Sequence, residues 1–352
     1  MGVRVILTTG GTGGHIFPAL AVAEQLRREG AELLFVGSQY GSEAKLAKQA
    51  GLEFRGLPVR GVLGRGLRSV GALWGLFRAV FMARAIVKDF RPDAVIGFGA
   101  YASFPSLVAA KLSGVPIAVH EQNAMPGLTN RMLAKLAKRV FLSLPDVTGA
   151  FDAKKSQLTG NPVREAIVES GKNAVGHPGT RRLLVMGGSQ GAQAINDALR
   201  SALPRLTRSF DIIHLCGKGK KDASIAEPGY VQYEYISKEL PDLFAAADII
   251  LSRAGANAIF EFLALAKPAL LIPLPLSASR GDQILNAGYF ARKGYAMTLD
   301  QAVLTPDTLF DSIHDLYNRR LSFISAMSGD STADGTDEVL DVIRSESEGS
   351  KR

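Results

Sequence analysis

His15 stands at the end of Thr8-Thr9-Gly10-Gly11-Thr12-Gly13-Gly14, directly before a helical pattern. Glycines let backbone N–H groups come close to an oxygen, and a helix N-terminus adds partial positive charge, so this run can form an anion site. Imidazole titrates near neutral pH, so His15 can move a proton beside that anion. A tight structural turn with a helix-capping histidine is the plainer reading. The spacing is not Gly-x-x-x-x-Gly-Lys-Ser/Thr, which argues against a P-loop nucleotidase. Nor does it scan as Gly-x-Gly-x-x-Gly, which leaves a dinucleotide oxidoreductase weakly supported.

Four later runs carry comparable chemistry. His120-Glu121-Gln122-Asn123 offers a carboxylate between an imidazole and two amides. Gly187-Gly188-Ser189-Gln190-Gly191-Ala192 is a second glycine loop, with Ser189 and Gln190 as hydrogen-bonding groups, and it reads as an anion or ribose site or as a packing turn. In Ser252–Glu261 a strand ends and a helix begins near Gly255-Ala256, so first-turn N–H groups can face a diphosphate. Glu261 follows on that helix, and a carboxylate can hold a ribose diol; an ordinary helical Glu is the alternative. Asp282, Gln283 and Asn286 open another helix, where amides can grip sugar hydroxyls or merely cap the helix. His15, His120, His177, His214 and His314 lack metal-ligand spacing, and no Gly-x-Ser-x-Gly elbow is present.

Two sets of alternating elements position these groups. Strand patterns at 3–8, 32–37, 94–97, 117–120 and 139–142 alternate with helical stretches near 18–29, 41–50, 70–90, 103–113 and 126–137. This predicts an α/β fold with a doubly wound parallel sheet, whose ligands sit at the carboxyl ends of the strands. The first glycine loop, Gly97-Phe98-Gly99-Ala100-Tyr101-Ala102-Ser103 and the His120 run all fall there. Gly160-Asn161-Pro162 breaks the pattern, 169–180 reads as a surface loop, and the plan restarts at Arg182 with strands at 182–186, 211–215, 230–235, 248–252 and 269–272. Two domains are expected, 1–162 and 163–335, with a ligand cleft between them. A helix at about 336–346 is placed to pack back on the first domain.

With 352 residues, the chain is long enough for two cores. Its single cysteine, Cys216, excludes an internal disulfide framework and fits a reducing compartment. No secretory signal and no transmembrane run are read. The net charge of +8 is skewed: residues 1–163 hold about 20 Lys and Arg against about 10 Asp and Glu. Within Arg55–Arg91 the basic residues interleave with Leu73, Trp74, Phe77 and Phe81, alongside Arg68 and Arg78. Such a helix suits an anionic membrane surface, or else a core-facing position with a solvated basic edge. No nucleic-acid-binding signature accompanies the charge.

In their order, Gly10–His15, His120–Asn123, Gly160-Asn161-Pro162-Val163-Arg164, Gly187–Ala192 and Asp282-Gln283 resemble the MurG family. These are peripheral-membrane UDP-N-acetylglucosamine transferases of bacterial peptidoglycan synthesis. The resemblance spans essentially the whole chain. It implies a GT-B fold of two Rossmann-like domains. It also implies inverting transfer of GlcNAc from UDP-GlcNAc to the C4 hydroxyl of MurNAc in lipid I, giving lipid II, without cofactor or metal. The N-terminal domain would bind lipid I and lie on the cytoplasmic face of the cell membrane. Ala256, Asn257 and Glu261 would meet diphosphate and ribose, with Glu261 on the ribose. The Ile236 backbone would meet uracil, and Ser189, Gln190 and Arg164 the phosphate end. Thr12, Gly13, Gly14, Asn123 and Gln283 would hold the sugar. His15 is the first candidate for the base and Glu121 the second. A related GT-B enzyme that glycosylates diacylglycerol is the nearest rival; a nucleotide-sugar-binding module without turnover is another.

Overall fold

The computed structural model describes residues 2–11, 13–60, 69–172, 181–188 and 190–349. Thr12, Arg68 and Ser189 lie outside the described residues, as do the side chains of Leu73 and Trp74. The chain divides into two compact units, residues 1–164 with 334–352, and residues 165–333.

Among the described residues, unit 1 holds a seven-stranded sheet. Its strands are β1 (Arg4–Thr8), β2 (Glu32–Ser38), β3 (Glu53–Leu57), β4 (Ala94–Gly97), β5 (Ile117–Glu121), β6 (Arg139–Leu142) and β7 (Ser156–Leu158). They run in the order β3-β2-β1-β4-β5-β6-β7, and every pairing is parallel. The interleaved helices are α1 (Gly13–Arg28), α2 (Glu43–Gln49), α3 (Ser69–Phe90), α4 (Ser103–Leu112) and α5 (Leu128–Ala134). Parallel strands need such crossovers, and helices on both faces leave the central strands fully buried. Val5, Ile6 and Leu7 are accordingly fully buried.

α1 begins at Gly13, ahead of the start that Pro18 suggests. Pro18 is the sixth residue of this helix, where its missing N–H removes the bond to the Gly14 carbonyl and its ring crowds that carbonyl. The last helix, α13 (Thr336–Gly349), belongs to unit 1. Its Val339, Leu340 and Ile343 are buried in one cluster with Val5, Leu7, Ile16 and Val22.

Unit 2 repeats the plan. Its strands are β8 (Arg182–Met186), β9 (Asp211–Leu215), β10 (Tyr230–Tyr233), β11 (Ile249–Ser252), β12 (Ala269–Leu271) and β13 (Ala296–Thr298). The sheet order is β10-β9-β8-β11-β12-β13, again parallel throughout. Its helices are α6 (Glu165–Lys172), α7 (Gln193–Leu206), α8 (Leu240–Ala246), α9 (Ala256–Ala264), α10 (Asp282–Arg292), α11 (Pro306–Asn318) and α12 (Arg320–Met327). Helix α6 corrects the surface-loop reading of 169–180 for residues 169–172. The amphipathic Glu165–Lys172 buries Ile167 and continues through Gly171. In each unit the first strand and the strand beside it (β1 with β4, β8 with β11) mark the point where strand order reverses. In such sheets ligands bind at the carboxyl ends of that pair.

Candidate active site

In unit 1 the switch point gathers three sequence runs around His15. The ring lies against the loop after β4, where Gly99 has φ +94°. A Cβ on Gly99 would come within 3.1 Å of His15 Nδ1 and 3.2 Å of Asn130 Nδ2, so a larger residue there would be strained and would crowd the imidazole. His15 Nδ1 lies 2.9 Å from Gln122 Oε1. Gln122 is 1% exposed, and its Nε2 donates to the Phe98 carbonyl at 3.1 Å and meets His120 Nδ1 at 3.1 Å. His120 is fully buried. Burial pushes its pKa down to about 3, against the pull of the Gly160 backbone and with a further push from His15.

Glu121, also buried, is encircled by donors. Its Oε1 accepts from the Asn123 N–H at 3.1 Å. Its Oε2 accepts from the Gly127 N–H at 2.9 Å and from Asn130 Nδ2 at 2.8 Å. The carboxylate thus folds the turn that carries Asn123. Arg164 lies in unit 1, with its guanidinium carbon 4.8 Å above the ring of Phe17 on α1.

The first glycine loop differs from an open anion cradle in one respect. The Gly11 N–H donates to Glu43 Oε1 at 3.0 Å, and Glu43 is fully buried at the start of α2. A side-chain oxygen already occupies that donor, so this N–H is not open to a phosphate. The sequence hid this contact because Glu43 reads as an ordinary first-turn helical acid.

Unit 2 is arranged differently at the same topological position. A cavity of about 400 Å³ is lined by Gly188, Gln190 and Gly191 before α7, by Gly255 and Ala258 at the start of α9, and by Gln283. Neither α7 nor α9 has a side-chain cap on its first turn. Two sets of helix N-terminal N–H groups therefore border one cavity, the arrangement that favours a diphosphate. Ala256 and Asn257 form the first turn of α9, and Glu261, 6% exposed, follows on the same helix. Gln283 Oε1 accepts from the Leu274 N–H at 3.1 Å, which fixes the amide and turns its N–H₂ to other partners. Ile236 lies in the segment after β10, outside the residues that line the cavity.

Two side chains differ from their expected or apparent use. Asn286 is buried and donates to the Ala254 carbonyl at 3.2 Å, tying α10 to the loop before α9 rather than reaching a sugar. Arg253 lines the cavity, yet its Nη1 donates to the carbonyls of Ile272 and Pro273 at 3.0 and 3.1 Å, and its Nη2 to Gln301 at 2.6 Å. It braces the cavity wall.

On α3, Phe77 and Phe81 are 60% and 59% exposed, with ring centroids 5.2 Å apart. Arg78, Arg84 and Lys88 are exposed on the same helix. Arg55 is not part of this free basic edge, because it pairs with Glu53 at 3.1 Å and with Asp89 at 2.5 Å. A separate cavity of about 430 Å³ is lined by Lys111, Lys135, Lys138 and Lys155. No described helix is long and apolar enough to cross a membrane.

Two Rossmann-like parallel sheets, each with its special loops at the switch point, match the fold of GT-B glycosyltransferases. The chain matches the glycosyltransferase family 28 N-terminal domain over residues 5–142 and the family 28 C-terminal domain over residues 182–340. A UDP-N-acetylglucosamine–N-acetylmuramyl-(pentapeptide) pyrophosphoryl-undecaprenol N-acetylglucosamine transferase of Nitratidesulfovibrio vulgaris is 49% identical over 308 residues, covering 85% of this chain and 84% of that protein. The transferase of the same name from Lachnospira eligens is 39% identical over 352 residues, covering 98% and 99%. The crystal structure of Acinetobacter baumannii MurG aligns with a TM-score of 0.77 at 31% identity, covering 97% of this chain and 99% of that one. The chain belongs to glycosyltransferase family 28 and, within it, to the MurG family.

Proposed function

We propose that this glycosyltransferase transfers N-acetylglucosamine from UDP-N-acetylglucosamine to the C4 hydroxyl of the N-acetylmuramyl sugar of lipid I, forming lipid II with inversion. The observation that carries the reading is the unit 2 cavity bordered by two uncapped helix N-termini. The full-length similarity to transferases named for this reaction supports the acceptor.

The donor's diphosphate meets the N-termini of α7 and α9, with Gln190, Ala256 and Asn257 around it and Ser189 on the same loop. Glu261 holds the ribose diol, the Ile236 backbone meets uracil, and Gln283 turns its N–H₂ to the sugar. In unit 1, Thr12, Gly13, Gly14 and Asn123 serve the sugars. In the single displacement the acceptor oxygen bonds to the anomeric carbon as the bond to the diphosphate oxygen breaks. His15 takes the acceptor's proton as that bond forms. UDP leaves with the bonding pair, and fixed N–H dipoles and Arg164 stabilise its growing charge. Glu121, its oxygens taken by the turn it organises, orients Asn123.

The test offers lipid I and diacylglycerol in parallel with labelled UDP-N-acetylglucosamine. Release of UDP only with lipid I is the expected result. Release with diacylglycerol alone, or UDP binding without turnover on either acceptor, would reject the reading.

The acceptor is a lipid, and α3 supplies the means to reach it: Phe77 and Phe81 insert while Arg78, Arg84 and Lys88 meet anionic headgroups. Burying one such ring contributes roughly 1.5–3 kcal/mol. The double variant Phe77→Ser, Phe81→Ser is therefore expected to lose at least about tenfold in affinity for anionic vesicles by flotation. Turnover on a detergent-soluble acceptor should stay near normal. Unchanged flotation would remove these residues from membrane contact.

A further inference from the structure

The amide of Gln122 has one orientation that suits its surroundings. The Phe98 carbonyl, 3.1 Å from one end, can only accept, so that end is the N–H₂. The oxygen then faces His15 Nδ1 at 2.9 Å. An amide oxygen also only accepts, so the hydrogen of that contact sits on Nδ1. In a neutral imidazole the other nitrogen, Nε2, is left with its lone pair.

We propose that Gln122 is a positioning residue that holds His15 in the Nδ1–H tautomer, making Nε2 the atom that accepts a proton. This deepens the assignment of His15 as base and rests on it for its catalytic consequence. Two further observations support it. Rotating the Gln122 amide by a half turn would set its oxygen against the Phe98 carbonyl in a site only 1% exposed, an arrangement with two acceptors and no hydrogen. The His15 ring also packs beside Gly99, where a Cβ would lie 3.1 Å from Nδ1, so Nδ1 faces the protein wall that carries Gln122.

The same amide acts on a second ring. Its N–H₂ meets His120 Nδ1 at 3.1 Å, so His120 carries its hydrogen on Nε2. One buried side chain thus gives two histidines opposite tautomers. The ionisable groups nearest His15 in this network are His120, kept neutral by burial, and Glu121, held by Asn123, Gly127 and Asn130.

The experiment reads the tautomer directly. Nitrogen-15 NMR of histidine-labelled protein distinguishes a protonated ring nitrogen from a bare one. The wild type is expected to show His15 with Nδ1 protonated. In Gln122→Met, which removes both amide ends, the Nε2–H form should dominate. Gln122→Asn, whose shorter side chain withdraws the oxygen, serves as a second variant should the first fail to fold. His15 remaining Nδ1–H in either variant would overturn the proposal.

Turnover supplies an independent readout. Gln122→Met is expected to lower kcat by roughly tenfold to hundredfold at unchanged KM for UDP-N-acetylglucosamine. Gln122→Glu retains the acceptor oxygen. It should restore much of that loss and move the acid limb of the pH profile upward, because a carboxylate favours the imidazolium. A changed tautomer with full turnover would leave the positioning intact and reject His15 as the base.

Discussion

Replacing His15 with alanine is expected to lower kcat by about 10³-fold, roughly 4 kcal/mol of barrier, while UDP affinity stays near that of the wild type. The split follows from where each task resides. His15 is braced by Gln122 and Gly99 in unit 1. The cavity assigned to the diphosphate is built from α7, α9 and their loops in unit 2. Removing the imidazole takes away the group that receives the hydroxyl proton and leaves those backbone N–H groups untouched. Steady-state turnover together with UDP titration calorimetry measures both halves. A variant with near-normal kcat would exclude His15 as the base, and one that loses UDP affinity equally would show that the ring serves binding.

The second large effect concerns the fold of the donor loop. Gly191 has φ +68°, and a Cβ there would lie 2.0 Å from the Cys216 carbonyl oxygen. The opposing strand end has little freedom to retreat. Asn196 donates to that same carbonyl at 2.8 Å and meets His214 Nε2 at 3.0 Å, and His214 Nδ1 meets the Tyr230 hydroxyl at 2.8 Å. Burial, reinforced by the charge of Arg200, pushes the His214 pKa down to about 3, so this buried chain stays neutral in the folded protein at ordinary pH. Gly191→Ala is therefore expected to destabilise the protein by about 3 kcal/mol or more. It should also weaken UDP binding, as seen by denaturant titration and calorimetry. Gly188→Ala is the control. Gly188 has φ +80° with nothing within 4 Å of its Cβ position, so its cost should be near the 1–2 kcal/mol of left-handed strain alone. Equal stability losses at the two positions would refute the clash argument.

These two glycines illustrate which features a reader of the sequence could find. A glycine forced into positive φ leaves a visible mark in its loop, and both glycine runs announced themselves. Central strands did so too, because Val5-Ile6-Leu7 and Leu183-Leu184-Val185 are buried on both faces and read as unbroken apolar runs. The strands left unread, β3, β7 and β13, each stand at the edge of a sheet. Glu53-Phe54-Arg55-Gly56-Leu57 and Ser156-Gln157-Leu158 have only one neighbour and partial burial, so apolar patterning does not mark them. Long-range polar contacts left no trace at all. Glu43 reaches Gly11 across 32 residues and Gln122 reaches His15 across 107, and neither spacing means anything until the sheet is wound. Asn286 misled for the complementary reason: an amide at a helix start looks available to a ligand until a carbonyl such as that of Ala254 is found beside it.

The return of α13 to unit 1 bears on how the chain is made. A ribosome synthesises all of residues 165–333 before the helix that completes the first unit's core exists. Until then Val5, Leu7 and Ile16 lack the apolar partners that Val339, Leu340 and Ile343 supply in the finished core. Domains tend to fold as they emerge, N-terminal first, but here the second unit can finish while the first still waits for its closing piece. Apolar surface left uncovered in this way is what makes folding intermediates prone to aggregate, and here it lasts as long as translation of the intervening segment.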